Sequence, residues 1–217
     1  MNSGPRSLKG EWEDFEACFK RRRLGSLKHF TAVENLDSIV CPPAGPERPA
    51  AGLYCRRLLR RHSLAVARLH GWGGKADRLD DYICLSFHLP AGIVRREARP
   101  PAVLLIDLAV ILWEGTCFCR TNSASRNISV EEILAYQDLA AFESLFSHAE
   151  GSRLRYRQAE VLVRNHISLE RIQGILLPET AEGRSALKRL RWLKWRLRLS
   201  GRWRFPSLKT GSWQSFA

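Results

Sequence analysis

The chain has 217 residues, of which 45% are hydrophobic, so it is long and apolar enough to form one globular domain, which excludes global disorder. It contains no stretch of about 18 uncharged apolar residues, and its N-terminus carries acids where a signal peptide is apolar. We therefore expect a cytoplasmic protein without stable membrane insertion. Its six cysteines are then expected to be reduced thiols, and the absence of a CxxC pair argues against a metal site.

The net charge of +13 is concentrated at the C-terminal end. Residues 184–217 contain ten Lys and Arg and no acid, whereas residues 1–183 hold the other 25 bases and all 22 acids. We therefore predict a nearly neutral domain over residues 1–183 and a basic extension rich in Trp, Arg and Leu over residues 184–217. Nucleic-acid binding, adsorption to a membrane surface and a solvated extension all remain open for this segment.

The N-terminal half predicts helices and short strands in alternation. Residues 10–23 form an amphipathic pattern with acids before bases, which indicates a first helix. LKHFTAV is a strand, and ENLDSIV follows it with a helical turn or two. The segment CPPAGPERPAAG must be a loop, and CRRLLRRHSLAVARLHG predicts a second helix. DYICLSFHLP alternates like a strand, and PAVLLIDLAVIL is a buried strand that leads into a helical segment.

The C-terminal half continues in the same irregular way. TCFCRT is typical of a strand, and Ser129 with Glu132 forms a capping box before one helix over residues 131–146. AEVLVRNHI and GILLP are two strands on either side of ISLERIQ. LKWRLRL alternates strictly, so a ribbon and a helix both fit it. Without regular βαβ alternation the fold class is α+β, and without a GxGxxG or Walker motif a Rossmann or P-loop site is not expected.

Glu160 stands at the start of the apolar, β-branched run Val161–Val163. A buried carboxylate is costly unless another group pairs with it or its charge is used. From this segment alone, two interpretations remain: Glu160 marks the exposed end of a strand, or it has a chemical function.

Four motifs, in this order, resemble those of the DarT-type family of DNA ADP-ribosyltransferase toxins. They are His29-Phe30-Thr31, the Asn35–Ile39 segment NLDSI, the Asp81–Phe87 segment DYICLSF and the Ala159–Val163 segment AEVLV. The resemblance covers roughly residues 26–178 and does not extend to the basic segment. It implies an ADP-ribosyltransferase-like core of short mixed strands with inserted helices, which clasps NAD.

The chain departs from the family pattern at two places. Ser86 occupies a position that is often aromatic in the family, where a ring could flank the nicotinamide. The segment GTCFCRTNSASRN only loosely resembles the family's sequence before the long helix, so the target base is left open between thymine and guanine.

The resemblance implies an NAD-dependent enzyme of the glycosyltransferase (pentosyltransferase) class that modifies a base in single-stranded DNA without a metal. As a member of a toxin–antitoxin pair, it would be countered by a macrodomain antitoxin. Two alternatives remain open: ADP-ribosyl transfer to protein or RNA, or plain NAD hydrolysis, and a non-catalytic nucleic-acid-binding module.

The resemblance also assigns candidate site residues. Glu160 is the catalytic carboxylate, because a fixed negative charge beside the ribose stabilises an oxocarbenium-like transition state. The expected NAD contacts are His29 and Thr31, with Asn35 either touching NAD or capping its helix, and with Arg56 or Arg68 at the diphosphate. Four residues before the Glu160 strand are expected to hold DNA, unless they form a solvated basic loop: Arg153, Arg155, Tyr156 and Arg157.

Overall fold

The computed structural model describes residues 6–41, 51–55, 76–88, 101–123, 125, 127–146, 158–199 and 205–211. The helices are α1 (Trp12–Arg22), α2 (Leu36–Val40), α3 (Ala76–Leu79), α4 (Val130–Ala135), α5 (Leu139–Ser144) and α6 (Ala181–Leu199). The described residues also include three 3-10 turns, at Val33–Asn35, Leu108–Leu112 and Leu169–Arg171. Apart from Cys55, the helix predicted over residues 55–71 lies outside the described residues.

The described strands form a large sheet and a small one. They are β1 (Leu27–Thr31), β2 (Gly52–Tyr54), β3 (Tyr82–Ser86), β4 (Ala102–Ile106), β5 (Cys117–Cys119), β6 (Glu160–Arg164), β7 (His166–Ser168), β8 (Ile172–Leu177) and β9 (Ser207–Thr210). The seven-stranded sheet has the order β5-β6-β3-β1-β4-β8-β9, and β2 pairs with β7. All described pairs are antiparallel except β8 with β9. This mixed sheet with inserted helices agrees with the predicted α+β class.

The large sheet is covered by apolar packing on both faces. Alternation along β6 sends Val161 and Val163 to the main core and Leu162 to a smaller second core on the opposite face. The main core contains a cluster of aromatic rings from α1, β5 and α5: Phe15, Phe118 and Phe142. The second core lies where α4 packs against β5. A β6 side chain that shares the face of Leu162 therefore lies beside the second core.

The large sheet opens between β1 and β3. These neighbours pair at one position, Lys28 with Ser86, whereas β1 pairs with β4 and β3 pairs with β6 along all five of their residues. The side chain of His29 takes up part of this opening, because its Nδ1 lies 3.0 Å from the carbonyl oxygen of Cys84. A carbonyl only accepts, so the Nδ1 atom carries the proton. Beyond the Lys28–Ser86 pair no further residues of β1 and β3 pair, and we call the gap between these two strand segments the cleft.

The helix predicted over residues 131–146 is wrong in its continuity, because the structure divides it into α4 and α5. The carbonyl of Tyr136 accepts from the amide of Phe118 at 2.8 Å, and the carbonyl of Gln137 accepts from the ammonium of the buried Lys9. Asp138 then begins the second helix, since its Oδ1 accepts from the amide of Ala141 at 2.7 Å. Contacts with β5 and the N-terminal segment therefore take the carbonyls that a continuous helix would use.

The predicted strand AEVLVRNHI is also divided in the structure. Asn165 adopts a φ of 65° between β6 and β7, a left-handed conformation that asparagine tolerates better than most residues. β6 then stays in the large sheet, and β7 leaves it to pair with β2. A run that looks continuous in sequence thus serves two sheets.

The basic C-terminal segment contributes a helix and an edge strand to the domain. LKWRLRL lies in α6, so the helix and not the ribbon is confirmed. Ala186 and Leu190 of α6 are fully buried in the main core, and β9 lies parallel to β8. The division at residue 184 stays a prediction, and the described contacts across it are extensive. Within the described residues, no helix is both long and apolar enough to span a bilayer.

Candidate active site

Glu160 occupies the first position of β6, between two neighbouring strands. Its Cα partners are Ser86 of β3 on one side and Cys119 of β5 on the other. It lies two residues before Leu162 and therefore on the same face, beside the second core. The side chain is partly exposed, so this carboxylate stands at the boundary between packed apolar residues and the surface.

Ser123 holds one oxygen of that carboxylate with two hydrogen bonds. Its backbone N–H donates to Glu160 Oε2 at 2.9 Å, and its hydroxyl donates to the same oxygen at 2.5 Å. Ser123 is itself 1% exposed. Two donors on one buried residue fix the carboxylate more firmly than the strand alone, and charge-assisted bonds of this kind are about twice as strong as neutral ones.

Opposing effects act on the acidity of Glu160. Burial raises the pKa of its carboxyl group above the ordinary value, because the charged form loses water, while the two bonds from Ser123 act in the lowering direction. The net shift is upward. A carboxylate of this kind is more basic than one in solution and can accept a proton from a reacting group.

The thiol of Cys84 lies next to Ser123. Cys84 Sγ lies 3.7 Å from the hydroxyl oxygen of Ser123. Burial is the main cause that raises the pKa of the Cys84 thiol well above its usual value, and the negative charge of Glu160 raises it further. Cys84 is therefore a neutral thiol at physiological pH, and it adds no competing negative charge beside Glu160.

A lysine occupies the same row of the sheet as Glu160. Lys28 pairs with Ser86, which pairs with Glu160, so the Cα atoms of Lys28 and Glu160 are roughly 10 Å apart by two interstrand spacings. The ammonium of Lys28 donates to the carbonyls of Ser26 at 2.9 Å and Phe87 at 2.7 Å. Burial lowers its pKa. This row places one cation and one anion at the closed end of the cleft.

The residues of the predicted opening motif lie together at the start of the cleft. His29 contacts the carbonyl of Cys84, as described above. Asn35 does not cap α2 with its side chain; its Nδ2 instead donates to Thr31 Oγ1 at 3.0 Å. Because the thiol of Cys84 contacts Ser123, which holds Glu160, a chain of contacts connects His29 to the carboxylate.

The other candidate residues cannot be placed in this way. The predicted diphosphate-binding and DNA-binding residues lie outside the described residues: Arg56, Arg68, Arg153, Arg155, Tyr156 and Arg157. Within the described ranges, no group of three or more His, Cys, Asp or Glu side chains is arranged to hold a metal ion.

The sequence of residues 82–199, more than half of the chain, matches the model of a family described as "ssDNA thymidine ADP-ribosyltransferase, DarT". The chain belongs to the DarT family. The matched region contains β3, Ser123, Glu160 and all of α6. The expectation that the family resemblance does not extend to the basic segment is therefore wrong, because the match continues to residue 199. No curated protein sequence matches the chain significantly.

Solved DarT structures share the fold at low sequence identity. The chain is 15% identical to Thermus sp. 2.9 DarT in complex with ADP-ribosylated ssDNA, covering 87% of this chain and 95% of that one, with a TM-score of 0.54. Against the same DarT in complex with NAD+ the identity is 18%, with 87% and 96% covered and a TM-score of 0.54. Thermosipho africanus DarTG in complex with ADP-ribose is 11% identical, with 85% and 49% covered and a TM-score of 0.54. The predicted DarT-like core is confirmed.

Two residues of the site were missed by the sequence interpretation. Ser123 lies in a segment that resembles the DarT pattern only loosely, and a serine among several others gives no signal that it contacts a residue 37 positions away. Lys28 immediately precedes the HFT motif, and the motif assigns it no role. Only the strand register shows that it shares a row with Glu160.

Proposed function

We propose that this chain transfers ADP-ribose from NAD+ to a thymine base of single-stranded DNA. The observation that carries this proposal is the carboxylate of Glu160, held by both donors of Ser123 at the closed end of a split sheet. Membership of a family described as ssDNA thymidine ADP-ribosyltransferase supports both the reaction and the base. The DarT structures in complex with NAD+ and with ADP-ribosylated ssDNA support the same substrates.

The reaction breaks the bond between nicotinamide and C1′ of its ribose and forms a bond from C1′ to a base nitrogen. Positive charge develops on the ribose in an oxocarbenium-like transition state. Glu160 stabilises this transition state more than the ground state, because its negative charge then faces a developing positive charge. The proton released from the base nitrogen passes to Glu160, whose raised pKa favours its acceptance.

The two oxygens of Glu160 have different tasks in this proposal. Both bonds from Ser123 end on Oε2, so Oε2 is the anchored oxygen. Oε1 is then the atom that faces the ribose and accepts a hydrogen bond from one of its hydroxyl groups. Fixing one oxygen orients the other, which lowers the reorganisation needed when the transition state forms.

The cleft between β1 and β3 is the proposed place of NAD+. His29 and Thr31 lie at its start, and Asn35 supports Thr31 through the 3.0 Å bond to its hydroxyl. His29 and Thr31 are therefore proposed to contact the cofactor directly and Asn35 to act through Thr31. Arg56 or Arg68 remains the proposed partner of the diphosphate. Arg153, Arg155, Tyr156 and Arg157 remain the proposed DNA contacts.

The family also supports a biological setting. A DarTG protein shares the fold, and we propose that this chain acts as the toxin of a toxin–antitoxin pair, with a macrodomain antitoxin that removes the modification. Cytoplasmic DNA is then the proposed target.

The proposal is tested by identifying what becomes modified. The purified protein is incubated with NAD+ and four single-stranded oligonucleotides, each containing one type of base in an otherwise abasic or inert sequence context. We expect the thymine oligonucleotide alone to gain the mass of one ADP-ribose, with release of nicotinamide. Modification of guanine would correct the base and keep the enzyme class.

Other outcomes would contradict the proposal at different levels. Nicotinamide release without any change in oligonucleotide mass, with labelled protein or RNA, would identify another acceptor. Nicotinamide release with no labelled acceptor would indicate NAD hydrolysis. DNA binding without nicotinamide release would support a non-catalytic binding module.

A further inference from the structure

Helix α6 presents a stripe of cationic and aromatic side chains at the surface. Two tryptophans in it are largely exposed, Trp192 by 54% and Trp195 by 61%. Spacings of three, four and seven residues place side chains on one side of a helix. By that spacing, the same side carries three exposed bases of α6. We define the α6 stripe as Arg184, Lys188, Arg191, Trp192 and Trp195.

The opposite side of α6 fixes the stripe in place. Ala186 and Leu190 are fully buried in the main core, so the helix cannot rotate to hide its tryptophans. Arg189 Nε lies 3.0 Å from Asp37 Oδ2 of α2, and the ammonium of Lys194 lies over the ring of Phe205. The stripe is therefore a fixed surface of the domain.

Its chemistry matches single-stranded nucleic acid. Glu182 is the one acidic residue of α6, at its first turn, and the stripe has three cations beside two indole rings. Cations hold phosphates, and exposed aromatic rings stack on unpaired bases. A membrane-adsorbing helix would direct its leucines outwards, whereas those of α6 that are described pack against the core.

We propose that the α6 stripe is a second binding surface for single-stranded DNA, separate from the Glu160 carboxylate. The distance from Arg184 to Trp195 along the helix is about 17 Å, from a rise of about 1.5 Å per residue, which is long enough for several nucleotides. α6 packs against the Val33–Asn35 turn, which directly follows β1. The helix that carries the stripe therefore contacts the segment that follows the opening motif.

The proposal deepens the proposed function, because it takes single-stranded DNA as the substrate. Its test measures binding and needs no turnover. Fluorescence anisotropy with a labelled single-stranded oligonucleotide, without NAD+, is recorded for the full chain and for the Trp192→Ala/Trp195→Ala double variant. We expect the dissociation constant to rise by roughly 5- to 150-fold for each ring that stacks on a base, with little change in its salt dependence.

A charge variant tests the other half of the stripe. Lys188→Ala/Arg191→Ala removes two phosphate contacts, so the slope of log affinity against log salt should become shallower by about 1.4, from about 0.7 per contact with single strands. Trp12→Ala is the matched control, because Trp12 is a 37% exposed tryptophan on α1, and its affinity for DNA should equal that of the wild type. Circular dichroism confirms that each variant is folded.

Several results would overturn this proposal. Wild-type affinity in both double variants would show that the stripe does not contact DNA. If the double variants lose as much affinity for a duplex of the same sequence as for the single strand, base stacking is excluded. If they lose binding to anionic vesicles while their affinity for DNA is unchanged, the stripe is a membrane-binding surface. Binding is measured without NAD+, so a loss of affinity in the stripe variants is observed whether or not the chain transfers ADP-ribose. Failure of the proposed reaction and failure of this surface therefore give different results.

Discussion

At the scale of single residues, the central feature is the carboxylate of Glu160, whose surroundings disfavour its ionised form. Burial disfavours ionised Glu160, and Ser123 offsets part of that cost with two donors. Placement at the first position of β6 keeps the carboxylate partly exposed while Val161 is fully buried. The sequence left two interpretations of Glu160 open, and the two hydrogen bonds from Ser123 to Oε2 favour the functional one.

Substitution of Ser123 tests its role as a positioning residue. Ser123→Ala removes the hydroxyl donor, so we expect kcat to fall roughly 10- to 100-fold, in line with about 1.5–3 kcal/mol for a hydrogen bond to a charged group. The same bond acts to lower the pKa of Glu160. Its loss should therefore move the acid limb of the kcat–pH profile to higher pH, because Glu160 must be ionised to act.

The control is Ser129→Ala. Ser129 Oγ accepts from the amide of Glu132 at 3.0 Å at the start of α4, so this variant loses a helix cap and some stability but should retain the wild-type pH profile. A Ser123→Ala enzyme with lower kcat and an unmoved acid limb would show a merely structural role for Ser123.

At the residue scale, the sequence predicted the position of Glu160 but not its partner. The AEVLV motif is local, so a pattern of five residues was enough to select Glu160. Ser123 and Lys28 reach the site through loop conformation and strand register, and neither is encoded in a local pattern. The roles assigned to His29, Thr31 and Asn35 stay predictions.

At the scale of elements, tertiary contacts decided where helices and strands end. The run from residue 131 to 146 has continuous helical propensity, yet α4 ends at Ala135 because the next carbonyls bond to Phe118 and Lys9. Those partners lie far away in sequence, so periodicity could not reveal the interruption. The capping box was partly confirmed, since Ser129 Oγ does accept from Glu132 N.

Asp138 provides a test of this interruption. Asp138→Ala removes the acceptor for the amide of Ala141 and should lower the free energy of unfolding by about 0.5–2 kcal/mol, the usual cost of losing an N-cap. Urea denaturation should show a lower midpoint with an unchanged m value. Asp138→Asn is the matched control, because asparagine retains a capping oxygen and should stay within a few tenths of a kcal/mol of the wild type. Equal midpoints for Asp138→Ala and wild type would mean that the cap does not stabilise α5.

At the scale of the whole molecule, the split between β1 and β3 organises the site. One half of the large sheet, β5-β6-β3, carries Glu160, and the other half, β1-β4-β8-β9, carries the opening motif. The two halves are joined at the Lys28–Ser86 pair, so NAD+ bound in the cleft would contact both. Ser86, which replaces a frequent aromatic residue, lies at this junction and pairs directly with Glu160.

The α+β class followed from irregular alternation of short strands and helices, and the DarT-like core followed from four ordered motifs. The strand order and the split did not, because pairing between distant strands leaves no mark in a single sequence. The division at residue 184 was predicted from charge alone, and it stays a prediction. Burial of Ala186 and Leu190 in the main core is a tertiary contact that the charge pattern does not encode.

The most direct test of the account is the rate of ADP-ribose transfer by Glu160→Gln. Glutamine keeps the size of the side chain and removes its charge, so kcat for modification of a thymine-containing single strand should fall on the order of a thousandfold, with little change in DNA affinity. Glu170→Gln, at an exposed glutamate, is the matched control and should retain the wild-type rate. If Glu160→Gln transfers ADP-ribose within about threefold of the wild-type rate, Glu160 is not the catalytic carboxylate and the site described here is not the active site.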